Sequence, residues 1–181
     1  MYADIVILAM LRQRPQHGYE IKKSIEQVFG GTVALNNTIL YPTLKRFEEM
    51  GAVVREVVQQ EGKPNRHLYH LTGRGIELLH TLLCDFPPEQ AANEAEFFTR
   101  VAFFEFLAPQ ERQEILKKRL GYLQGCLDYL QHLQEMATEG ECAPSISMSN
   151  AQRVLAFHLQ RVRHEYQWIA TWLEELQASQ S

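Results

Sequence analysis

The chain has 181 residues, of which 45% are hydrophobic and 22% charged; this is ordinary globular composition, sufficient for one domain or two small ones, and excludes a mainly disordered chain. Cys84, Cys126 and Cys142 are far apart, which excludes a disulfide framework or zinc ribbon, and the lack of an 18-residue apolar run or a basic signal-type N-terminus predicts a cytoplasmic protein with no membrane span. The net charge of −4 is uneven: residues 1–85 hold ten Lys/Arg against nine Asp/Glu, and residues 86–181 hold eight against thirteen, so a nucleic-acid face is allowed only in the first half.

Residues 2–13 place Ile5, Leu8, Ala9 and Leu11 around a helical period. Pro15 and Gln16-His17-Gly18 interrupt it. Residues 18–29 resume a helical pattern with Tyr19, Ile21, Ile25, Val28 and Phe29, stopped by Gly30-Gly31. A third helix starts near Asn36 or Asn37, both good N-caps, and ends at Gly51. Pro42 lies just past its first turn, where it forfeits about one backbone hydrogen bond. The β-branched run Val53–Val58, the turn-rich Glu61–Asn65 and then His67–Leu71 read as strand, turn, strand. Thr72 is placed to cap a fourth helix carrying Ile76, Leu78, Leu79 and Leu82. Three helices, a β-hairpin and a fourth helix form the element order of a winged helix-turn-helix.

Pro87-Pro88 marks a boundary, after which everything reads as helix. The expected division is a winged helix-turn-helix DNA-binding domain over residues 1–86 and an α-helical, coiled-coil-like dimerisation domain over 87–181. The fold class is therefore mainly α, with a β-hairpin wing. Phe97, Phe98, Phe103, Phe104 and Phe106 make an aromatic-rich stretch within 91–107, best read as core. Pro109 opens a helix with Leu116, Leu120, Leu123, Leu127 and Leu130, and a polar break runs from Thr138 to Ser149. In the last helix Leu155, Leu159, Val162, Tyr166, Ile169, Leu173 and Leu176 follow heptad spacing. Such a stripe packs along most of its length against other helices, and a second copy of the chain is the expected partner.

On a wheel of about 100° per residue, Leu40, Leu44, Phe47 and Gly51 of the third helix share a core face. Thr38, Tyr41, Pro42, Lys45 and Glu49 lie on or toward the other side. A hydroxyl, a phenol and an ammonium there are groups that bond phosphates and base edges, although a merely solvated face would carry the same residues. Lys63 at the hairpin tip and Arg66 at the start of the second strand give the wing a basic edge, which solubility alone would also explain. Strand alternation puts His67, Tyr69 and Leu71 on one face, with Tyr69 and Leu71 in the core.

Three stretches, His17-Gly18-Tyr19-Glu20-Ile21-Lys22-Lys23, then Thr38-Ile39-Leu40-Tyr41-Pro42-Thr43-Leu44-Lys45-Arg46-Phe47-Glu48, then Gly62-Lys63 through Tyr69-His70-Leu71-Thr72, resemble in order and spacing the PadR family of transcriptional regulators. The helical remainder resembles the C-terminal dimerisation region of that family's longer members. The resemblance implies a homodimeric repressor, often released by a small molecule. It also implies that Tyr41, the tyrosine before proline, faces the DNA backbone. Thr38 and Lys45 fall at recognition-helix positions, and His17 and Tyr19 at a motif close to phosphate. Lys22 of the same motif and Asn37 join this DNA-binding set. Asn37 stands where a glycine is usual, and Leu68 where a tyrosine or basic residue is common.

The expected function is a homodimer binding a pseudo-palindromic double-stranded operator, with the third helices in successive major grooves about 34 Å apart. The rival reading is a winged-helix adaptor for protein contacts without DNA binding. Trp168 and Trp172, four apart beside the heptad stripe, either line a pocket for a small apolar or aromatic effector or pack in the dimer interface. Cys84 reads as a buried or rim thiol rather than a redox switch. No Ser-His-Asp order, glycine-rich phosphate loop or paired-carboxylate cleft is legible. The histidines and cysteines do not converge at metal-ligand spacing. No enzyme activity, cofactor or metal is expected.

Overall fold

The computed structural model describes residues 2–29, 35–60, 63–138 and 148–178. Gly30-Gly31, the turn residues Glu61 and Gly62, Cys142 and most of the polar break after Thr138 lie outside the described residues. The chain divides into two compact units, Met1–Ala108 and Pro109–Ser181.

In the first unit, α1 (Tyr2–Gln13) is central. Ile5 through Leu11 are all buried, with at most 3% of any one exposed. A run apolar on every side can only be stable inside, and α2 (Gly18–Phe29), α3 (Asn37–Glu49), α4 (Gly73–Cys84) and α5 (Glu94–Val101) all pack on it. Between α1 and α2, where the sequence pattern shows only a break, Gln16–His17 form a short strand β1. It pairs antiparallel with β3 (Lys63–Leu71), Gln16 opposite Tyr69 and His17 opposite Leu68, and β2 (Val53–Gln60) lies on the other side of β3. Gln16 is buried. Its Nε2 donates to the Met10 carbonyl at 2.7 Å, and its Oε1 accepts from Ser24 Oγ at 3.2 Å. One side chain thus satisfies a carbonyl near the end of α1 and ties it to α2.

Asn36, not Asn37, caps α3, its Oδ1 accepting from the Ile39 amide at 3.0 Å. The helix ends in a Schellman turn: Gly51 has φ +70°, its amide donates to the Glu48 carbonyl, and the Ala52 amide donates to the Phe47 carbonyl, both at 2.9 Å. Leu40, Leu44 and Phe47 are buried as their spacing predicts, and Thr43 joins them. Strand pairing runs from Val53 opposite Leu71 to Val58 opposite Arg66, with a register shift between Val58 and Gln60. Thr72 caps α4, its Oγ1 accepting from the Gly75 amide at 3.1 Å and donating to the Gly51 carbonyl at 2.8 Å. A Cβ on Gly75 would stand 2.2 Å from the Ala52 carbonyl oxygen, so only glycine lets α4 approach β2 this closely.

The first unit continues past Pro87-Pro88, where the sequence suggests a boundary. Residues 91–107 are also not one helix. A 3-10 turn at Pro88–Ala92 is followed by α5, capped by Asn93, and by a second 3-10 turn at Phe104–Phe106. Asn93 is the reason for the break, since its Oδ1 accepts from the Glu96 amide and starts a new helix there. Arg100 holds α5 in place. It is fully buried, and its guanidinium donates to Glu96 Oε2 at 2.7 Å, the Asp85 carbonyl at 2.7 Å and Gln90 Oε1 at 3.0 Å, while lying 4.9 Å from the Phe86 ring centre. Glu96 Oε1 also accepts from the Tyr2 amide at 3.0 Å, at the start of α1. Burial would raise the Glu96 carboxyl, but the bonds from Arg100 and Tyr2 outweigh it and hold the carboxyl below its ordinary value.

The second unit is a hairpin of α6 (Pro109–Thr138) and α7 (Met148–Ala178), packed side by side. Leu116, Leu123, Leu127, Leu159 and Ile169 are buried. Arg119, itself buried, donates from Nε to Glu165 Oε1 at 2.8 Å and joins the helices. Part of the heptad stripe is covered within the single chain. Leu159 and Ile169 are already buried within the single chain, and Leu155, Val162, Tyr166, Leu173 and Leu176 are half-buried in it. The physical reason is α6, whose 30 residues supply an intrachain partner as long as the stripe. The apolar residues that α7 leaves most exposed are Val154, Phe157 and Trp168. Among the described residues no helix is long and apolar enough to cross a membrane.

Candidate nucleic-acid interface

The pairing of β1 with β3 sets the start of α2 beside the base of the wing. A cleft of about 360 Å³ results, lined by His17, Gly18, Tyr19, Tyr41, Arg66, His67 and Tyr69. Four of the nine expected DNA-binding residues, His17, Tyr19, Tyr41 and Arg66, converge there. The His17 backbone amide donates to Glu20 Oε2 at 2.8 Å, and its ring Nδ1 lies 2.9 Å from the His67 carbonyl. The Tyr19 ring stacks on His17 at 5.9 Å and 8°, and the Arg66 guanidinium lies 5.6 Å from the Tyr19 ring centre. Tyr19 and Tyr41 stay about half exposed (55% and 46%) despite these contacts. The cleft thus brings a guanidinium, two exposed phenols and an imidazole into one concave place, and the guanidinium and phenols are donors suited to phosphate oxygens.

Tyr69 forms the buried wall of the cleft. Burial, reinforced by the charge of Glu48, raises its phenol above the ordinary value, so it stays protonated. Gly18, Tyr69 and His67 are missing from the expected site. Gly18 is intelligible only in three dimensions, since a Cβ there would come within 3.0 Å of the Tyr41 ring.

The other expected residues lie outside the cleft. On α3, Asn37, Thr38 and Lys45 are exposed. The Thr38 hydroxyl donates to Asn36 Oδ1 at 2.6 Å, and Lys45 stands 3.9 Å from Glu49, both solvated. Lys22 pairs loosely with Glu26 at 4.0 Å on α2. Lys63 is in β3, but its side chain lies outside the described residues. Arg46 and Arg55 are held by Asp4 and Glu48, which fixes α3 against α1 and β2. In the second unit Trp168 and Trp172 come together at 5.5 Å, beside a groove of about 600 Å³ that His164, Gln167, Thr171 and Glu175 complete.

A helix-turn-helix whose second helix presents an exposed polar face, followed by a β-hairpin with a cationic base, defines the winged-helix class of nucleic-acid-binding domains. Residues 7–81 match the family described as the transcriptional regulator PadR-like family. A similar curated protein is the negative transcriptional regulator PadR of Bacillus subtilis (strain 168), 27% identical over 169 residues that span 92% of this chain and 93% of that one. Similar solved structures include Bacillus subtilis PadR in complex with operator DNA, at 23% identity, 97% and 99% coverage and a TM-score of 0.47. Another is the same protein in complex with p-coumaric acid, at 22% identity, 98% and 99% coverage and a TM-score of 0.43.

Proposed function

We propose that this chain is a cytoplasmic repressor of transcription that binds a pseudo-palindromic operator as a homodimer and has no catalytic activity or cofactor. The observation that supports it best is the meeting of His17, Tyr19, Tyr41 and Arg66 in one cleft, next to the exposed N-terminal half of α3. The cleft holds backbone phosphate, which positions without reading sequence. Thr38, Lys45 and Asn37 reach the major groove, and the wing carries Lys63 toward the flanking backbone. Lys22 adds a phosphate contact from α2. The match of residues 7–81 to a family of transcriptional regulators agrees with this reading.

Residues 1–86 carry the DNA-binding role in this proposal, and the helices beyond carry dimerisation. The outward face of α7, with Val154, Phe157 and Trp168 exposed, is the dimer surface, supplemented by the half-buried members of the heptad stripe. The Trp168–Trp172 groove is the proposed seat of a planar aromatic effector. The primary experiment is a gel shift on DNA upstream of the protein's own gene, with the Tyr41→Phe variant alongside. Specific retention weakened by the substitution supports the proposal. No retention at low salt would favour the adaptor reading.

A further inference from the structure

The hydrogen bond between His17 and the wing has a chemical consequence for the cleft. Nδ1 of His17 lies 2.9 Å from the His67 carbonyl oxygen. A carbonyl can only accept, so Nδ1 must carry a proton and donate it. In the neutral ring Nε2 is then a bare acceptor, and among the described residues it makes no hydrogen bond. A phosphate diester is also acceptor-only at neutral pH. The neutral ring and a phosphate oxygen therefore present lone pairs to each other. Protonation of Nε2 turns that clash into a charge-assisted hydrogen bond.

We propose that His17 is a proton-linked phosphate ligand, contributing to DNA affinity only as the imidazolium, so that each cleft takes up a proton when DNA binds. This deepens the DNA-binding reading and rests on it. The tautomer is imposed by the fold, because β1 is paired to β3 with His17 opposite Leu68. Among the described residues, the charged and titratable groups around the ring are Glu20 and Tyr19 from α2, Tyr41 from α3, and Arg66, His67 and Tyr69 from β3. His67 is the other imidazole of this set, and it is exposed. The sign follows from linkage. Binding raises the proton affinity of His17, so its contribution is full at low pH and is lost as pH rises through the bound-state titration.

The test measures affinity for a mixed-sequence duplex by fluorescence anisotropy, at fixed ionic strength, between about pH 8 and about pH 6. His17→Asn keeps an amide donor for the His67 carbonyl and cannot titrate. The wild-type protein should gain up to about tenfold more affinity per cleft than His17→Asn over that range. The same pH dependence in His17→Asn would overturn the proposal while leaving DNA binding intact. Absence of DNA binding at every pH would overturn the regulator reading with it. Imidazole nitrogen chemical shifts of the wild-type protein give an answer independent of variant folding. They should show the Nδ1–H tautomer in the free protein and two ring protons with duplex bound, whereas an Nε2–H tautomer in the free protein overturns the proposal.

Discussion

Gly18 and Tyr41 are fitted to each other: a Cβ on residue 18 would lie 3.0 Å from Tyr41 Cε1 and 3.2 Å from its hydroxyl oxygen. The first residue of α2 is bare so that a phenol from α3 can lie across it. Gly18→Ala should therefore separate folding from binding. The backbone at 18 is not left-handed, so alanine brings no backbone strain there. The half-exposed Tyr41 ring can yield outward. Urea unfolding should show equal stability, while duplex affinity falls. A variant that binds DNA as tightly as the parent would show that the position of Tyr41 is unimportant.

Tyr41→Phe removes one hydroxyl and keeps the ring. DNA affinity should fall by roughly 1 kcal/mol per protomer, equally on specific and random duplexes, because phosphates carry no sequence. Lys45→Ala should instead flatten the plot of log affinity against log salt by about one unit per lysine if Lys45 meets a phosphate. If it reads a base, specificity should relax at one position in each half-site. Unchanged affinity and salt slope in both variants would remove α3 from the DNA interface.

Arg100→Met leaves the buried Glu96 carboxylate without its cation and the Asp85 carbonyl without its donor. Loss of one partner from a buried ion pair costs about 3–5 kcal/mol, to be read from urea unfolding. Glu96 contributes stability above the ordinary carboxylate range, because its folded-state proton affinity is depressed. That contribution is lost as pH falls below about 4. Glu96→Gln should flatten the acid limb of the stability profile, and an unaltered limb would refute the assignment.

Two glycines of one helix make a controlled pair. Gly75→Ala drives a methyl into the Ala52 carbonyl, whereas a Cβ at Gly73 meets nothing within 4 Å. The first should lower stability by about 1–3 kcal/mol, as overpacking does, and the second should be neutral. Thermal melts of the two variants check this.

Sedimentation of the full chain at micromolar concentration should give a dimer, and the double variant Phe157→Glu, Trp168→Glu a folded monomer. A monomeric parent, or a double variant that remains dimeric, would refute the α7 surface.

The winged-helix order was readable because its signals are local. Asn36, Gly51 and Thr72 cap or stop helices by their own chemistry, and Leu40, Leu44 and Phe47 follow a helical period. Tyr41 and Thr38 follow from the same wheel. What could not be read depends on contacts between distant segments. β1 is two residues long and exists only because β3 is there to pair with it. Gly18 and Tyr69 enter the site through packing, which no spacing rule encodes. The heptad stripe of α7 was visible, but its periodicity is the same whether the partner is α6 or a second chain. Asn93 and Arg100 show the same limit, since a cap and a buried cation decide where an aromatic-rich stretch breaks and what it covers.

The register shift between Val58 and Gln60 divides the wing into two mechanical parts. Below it, Val53 to Val58 are locked residue for residue to β3, and a one-residue slip would reverse the faces of Arg66 through Leu71 and dismantle the cleft. Beyond it the one-to-one match is broken, Gln60 pairing with Lys63, so the constraint on the faces of Arg66 through Leu71 comes from Val53 to Val58 and not from the outer end of the hairpin.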